Sequence, residues 1–217
     1  MAPEGQAWLI RGTGRGKYLA VAVPYEEAFV TYDREMLPIK VPDATPGMIK
    51  LYTGRDEQAL LARIRYNRLV DVFTGVVCYS LQNHYRTFVK DWGQVETDEL
   101  YVGVDRTGVH YAFPVQAKGL GQTLGKIQIE QDFAIGKGKA QLKNVIWRPL
   151  GTQFVDGDTL VLYEFAEQDE KIWKARERHY RLVPPEQISE EDLKIYRSQA
   201  PNSAQNFLTC VPGRQIT

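Results

Sequence analysis

Between Glu99 and Gly119 the chain reads ELYVGVDRTGVHYAFPVQAKG, and these two β-rich runs around a turn constrain the fold more than any other stretch. In the first arm Leu100, Val102 and Val104 alternate with Glu99, Tyr101, Gly103 and Asp105, the two-residue period of a half-buried strand. Asp105-Arg106-Thr107-Gly108 follows as a turn, its glycine suited to a left-handed position. The second arm sets Val109, Tyr111, Phe113, Val115 and Ala117 against His110, Ala112, Pro114, Gln116 and Lys118. Taking the apolar run of each arm as the core side predicts a hairpin whose polar faces converge, with Glu99, Gln116 and Lys118 on one side. Asp98 then falls in register with Leu100 on the core side. A bulge would reverse that phase, so Asp98 stands as the second choice to Glu99.

Around this hairpin the chain divides into three spans. Residues 1–50 predict a small β-rich N-terminal segment, from AWLI, YLAVAV and AFVTY. The loop Arg11 to Lys17 carries three cations among glycines, but lacks the leading glycine and the Ser or Thr of a phosphate loop. It reads as a hairpin turn, or as a contact with a nucleic-acid backbone. PDATPGMIKLYTGR at 42–55 reads as a connector. Residues 51–185 form the predicted core. There Asp56-Glu57 opens a helical pattern through Leu60, Leu61 and Ile64, continued at spacings of three and four by Val70, Phe73, Val77, Leu81, His84 and Phe88, with Gly75 dividing it. His84 on that stripe reads as a hydrogen-bonded core residue. After the hairpin, TLGKIQIEQDFAI predicts a helix; KNVIWRPLGTQFV and DTLVLYEFAEQ predict strands. EKIWKARERHYRLV fits helix or strand. Residues 186–217 predict a short helix opened by an approximate capping box, Ser189 to Asp192, and an irregular tail.

Net charge is zero, with 27 residues of each sign, so a nucleic-acid surface would have to be local. Cys78 and Cys210 make neither a disulfide framework nor a metal-ligand spacing. No apolar run is long enough to cross a bilayer and no leader pattern opens the chain, which predicts a soluble cytoplasmic protein with no membrane partner.

Gln116 and Lys118, two apart on a strand, point the same way about 7 Å from each other, and an acid on the neighbouring strand can join them. Carboxylate and amide oxygens suit Mg²⁺, which keeps waters and accepts phosphate. A lysine beside them can orient or help deprotonate water, or stabilise charge on phosphate. The order helix, acid-led strand, strand ending Gln116-Ala117-Lys118, helix, further strands resembles the PD-(D/E)XK nuclease superfamily. Within it the sequence is similar to a bacterial group of endonucleases, through RYNRLVDVFTG, YSLQNH, DELYVGVD, FPVQAKG and QIEQDFA, over roughly Asp56 to Phe165. The resemblance implies an α+β, restriction-endonuclease-like fold with a central mixed sheet flanked by helices. It implies a Mg²⁺-dependent (or Mn²⁺-dependent) endonuclease hydrolysing phosphodiester bonds in DNA. Glu99 and Gln116 would hold the metal, and Glu99, Gln116 and Lys118 would form the catalytic set. Glu for Asp at the first position is a longer reach; Gln for an acid at the second removes a negative charge. Gln128 and Gln131 fall where relatives support the lysine or touch nucleic acid. The alternative is a catalytically inactive nucleic-acid-binding or protein-interaction module on the same fold. Cutting both strands would call for a two-fold homodimer.

Overall fold

The computed structural model describes residues 2–14, 17–138, 144–169 and 171–199. Its strands are β1 (Gln6–Gly14), β2 (Lys17–Pro24), β3 (Ile39–Pro42), β4 (Val77–Val89), β5 (Gly93–Val104), β6 (His110–Lys118), β7 (Ile146–Trp147), β8 (Leu150–Phe154), β9 (Thr159–Gln168) and β10 (Lys171–Val183). Its helices are α1 (Tyr25–Ala28), α2 (Gly47–Tyr52), α3 (Glu57–Tyr66), α4 (Leu69–Thr74), α5 (Lys126–Gly138) and α6 (Glu190–Ser198). β1 and β2 form a separate antiparallel hairpin; the other eight strands make one mixed sheet in the order β3-β10-β9-β8-β6-β5-β4, with β7 beside β6. The protein is therefore α+β, with a central mixed sheet flanked by helices and a small N-terminal sheet. β3, although in the N-terminal span, adds to the central sheet parallel to β10. Residues 15 and 16 of the cationic loop, and the tail from 200 onward with Cys210, lie outside the described residues. Among the described residues no helix is long and apolar enough to cross a membrane.

Helices cover both faces of the sheet. On one, α3 buries Leu60, Leu61 and Ile64, and α4 buries Leu69, Val70 and Phe73, against Tyr101, Phe113, Val115 and Ala117. Each such aliphatic side chain contributes roughly 1.5–3 kcal/mol over leaving it exposed. Asp56 starts α3 by accepting the amide of Ala59, the expected cap. Arg68, left-handed at φ 50, separates α3 from α4, and Gly75 at φ 71 ends α4. On the other face α5 buries Ile129 with Leu124, Tyr163 and Phe165, and Ile135 with Val89 and Val95.

The helical continuation expected beyond Gly75 is not formed. Residues 77–89 are β4, an edge strand antiparallel to β5. Two irregularities mislead the period: a register shift between Ser80 and Gln82, and a left-handed His84 at φ 49. They break the two-residue alternation and leave apolar residues three or four apart. His84, expected in the core, is exposed. The KIWKARERHYRLV run is strand, pairing with β9. The capping box at Ser189 and Asp192 is present, and Asp192 pairs with Lys40 at the start of the sheet's other edge.

Candidate active site at the parting of two strands

β5 and β6 pair from Val104–His110 as far as Glu99–Val115. Along its other edge β6 is paired with β8, in parallel, from Val115 to Lys118. Where the β5 ladder ends, side chains take over: Asp98 Oδ2 accepts the amide of Ala117 at 2.7 Å, and Thr97 donates to the carbonyl of Val115. Asp98 thus reaches across the gap toward the Gln116-Ala117-Lys118 run.

Lys118 extends to the first residue of α3, where its Nζ lies 2.6 Å from Glu57 Oε1. The capped start of α3 therefore delivers a carboxylate to the end of β6. Asp98 is held above the usual carboxylate range, chiefly by burial; the amide of Ala117 and the charges of Lys118 and His84 oppose this, and Glu57 adds to it by like-charge repulsion. Asp98, Glu57 and Lys118 thus form one electrostatic group.

Gln116 is 1% exposed and turned toward α5. Its Nε2 donates to Asp132 Oδ1 at 3.1 Å and to the carbonyl of Glu96 at 3.2 Å, and its Oε1 accepts from Gln128 at 3.1 Å. Two acceptors and one donor face position 116, so the amide orientation is determined. Burial pushes the Asp132 carboxyl well up, Asp98 adding repulsion and Gln116 opposing it.

Glu99 does not join this group. Its cross-strand partner is Val115, as Phe113 is that of Tyr101, and directly paired residues share a face. Glu99 therefore points to the α3–α4 side, opposite Gln116 and Lys118. There it is fully buried, accepting from the Ser80 hydroxyl and pairing with Arg65 at 3.0 Å. Burial pushes its carboxyl up, against Ser80 and Arg65. The expected phase fails because the sheet is covered on both faces: Leu100 is as buried as Tyr101, so an apolar run no longer marks a single core side. Asp98, the second choice, is the acid on the face of Gln116 and Lys118. Gln128 reaches the network through Gln116, whereas the lysine is held by Glu57; Glu57, Asp132 and His84 belong to it without a sequence signal, being brought in from α3, α5 and β4.

Mg²⁺ is commonly held by one or two carboxylates plus waters and a phosphate. Asp98 and Glu57 supply two carboxylates on either side of Lys118, a donor set of the kind and number such a site uses. Among the described residues no three His, Cys, Asp or Glu side chains converge tightly enough to hold an ion by themselves. Gln116, whose oxygen is engaged by Gln128, is less available as a ligand than the sequence suggests.

No family model, no curated protein and no solved structure matches the chain.

Proposed function

We propose that the protein is a divalent-metal-dependent endonuclease of the restriction-endonuclease-like kind, acting on phosphodiester bonds in DNA. The observation that carries the reading is the single group of Asp98, Lys118 and Glu57 at the parting of β5 and β6. The succession α3, β5, β6, α5, β8 follows the helix, acid-led strand, strand, helix, strand order of the resemblance, with β4 as an additional strand ahead of β5, and supports the reading. In this reading Asp98 and Glu57 hold Mg²⁺ or Mn²⁺, which when bound supplies Lewis-acid activation of phosphate and water. Lys118, fixed by Glu57, donates to a non-bridging phosphate oxygen and stabilises the charge that grows there. Gln116 sets the spacing of β6 against α5 through Asp132 and Gln128.

Purified protein incubated with supercoiled plasmid and Mg²⁺ is expected to nick or linearise it, and Lys118→Ala is expected to abolish cutting. Equal cutting by the variant would assign the activity to a contaminant and defeat the reading. A second reading, a module that binds nucleic acid or protein without cutting, draws on the inward-turned Gln116. It predicts DNA retention in a gel-shift experiment that chelation of divalent ions leaves unchanged.

A further inference from the structure

His84 stands at the rim of the same group. β4 pairs Asn83 with Glu99 and Tyr85 with Thr97, so His84 lies across the ladder from Asp98, as Gln116 lies beyond it on β6. Both ring nitrogens are held: Nδ1 is 2.8 Å from Glu96 Oε1, and Nε2 is 3.2 Å from Nε2 of Gln58. Gln58 directly follows Glu57, the partner of Lys118. The backbone at His84 has φ 49, a left-handed conformation that costs a non-glycine residue about 1–2 kcal/mol. Strain of this kind persists where surroundings over-determine it, and it concentrates at functional sites.

The carboxylate on Nδ1 sets the tautomer. Glu96 is itself held by Arg86 at 2.7 Å, which, with His84, keeps its carboxyl below the usual range despite some burial. In the neutral ring such a carboxylate accepts the Nδ1 proton, which leaves the lone pair on Nε2, the nitrogen beside the Gln58 amide. The ring is 52% exposed, so water can replace Gln58 there. The charged groups around it are Glu96 and Asp98 on β5, Arg86 on its own strand, and the Glu57–Lys118 pair at α3 and β6. Lys118, ion-paired as an ammonium, offers donors and no lone pair, so hydrolysis at this site requires another proton acceptor.

The geometry points to His84 as that acceptor: resting on the nuclease reading, its Nε2, oriented by Glu96, is the general base for the attacking water. The water oxygen bonds to phosphorus and the ester P–O bond breaks. The water proton passes to Nε2, and the departing alkoxide takes a proton from bulk water.

The test is plasmid cutting with Mg²⁺ by the full chain, by His84→Gly, by His84→Asn and by Lys118→Ala, with Mg²⁺ affinity and melting temperature measured on each. Glycine tolerates the left-handed backbone and leaves room for added imidazole; asparagine tolerates it without a basic nitrogen. Both His84 variants are expected to cut roughly 100-fold more slowly, within the range for loss of a general base. Imidazole should restore His84→Gly and not His84→Asn, with Mg²⁺ affinity and melting temperature close to wild type. Cutting by His84→Gly at the wild-type rate, or a loss that imidazole does not restore, would overturn the role of His84 while leaving the nuclease reading intact. Absence of cutting by the wild-type chain would overturn both.

Discussion

Gln116 sits among groups that only an amide satisfies: it gives one hydrogen to Asp132, one to the Glu96 carbonyl, and takes one from Gln128. A carboxylate of the same shape would turn oxygens toward two acceptors inside the protein. Gln116→Glu is therefore expected to destabilise the fold by about 1–3 kcal/mol, the cost of leaving buried polar groups unsatisfied, measured as a fall in urea midpoint. A midpoint equal to wild type would mean that the amide is not needed there. The choice of glutamine, which in the sequence looks like the loss of a metal ligand, thus has a packing reason. That reason was not legible, because Asp132 and Glu96 reach position 116 from α5 and β5. The first acid was legible only as a pair of candidates. Asp98 and Glu99 are adjacent, opposite in phase, and both lie in a strand covered on its two sides, so hydrophobic alternation could not say which one faces Lys118.

The start of α3 does two jobs at the scale of elements. Asp56 closes its first turn through Ala59, and the next residue, Glu57, holds Lys118. Asp56→Ala is expected to cost about 1 kcal/mol of stability, as lost N-caps do, and to slow plasmid cutting beyond the effect of that loss by loosening Glu57. Urea unfolding and cutting measured on one preparation check both; unchanged cutting would separate the cap from the site. The hairpin of β5 and β6, the opening of α3, the helix α5 and the capped α6 were all readable from period and capping residues. β4 was not. Its register shift and left-handed His84 give a strand the apparent spacing of a helix, and the irregularity that hid the strand also sets His84 beside Asp98. β10 stayed ambiguous because an amphipathic mixture of charges and aromatics carries no decisive period.

Across the whole molecule, the sheet separates two environments. Its α3–α4 face holds the largest cluster of buried residues and encloses Glu99 with Arg65 and Ser80. Its α5 face holds Gln116 and Asp132, and the parting of β5 and β6 brings Asp98 and Lys118 together with a carboxylate from α3. The zero net charge places no general attraction for nucleic acid on the chain, so any surface that attracts it would have to be local. Which of the two adjacent acids, Asp98 or Glu99, serves the site is therefore the decisive point. Calorimetric titration of Mg²⁺ into wild type, Asp98→Asn and Glu99→Gln tests it most directly. Binding by wild type and Glu99→Gln, but not by Asp98→Asn, is the predicted result; loss of binding in Glu99→Gln with retention in Asp98→Asn would contradict it.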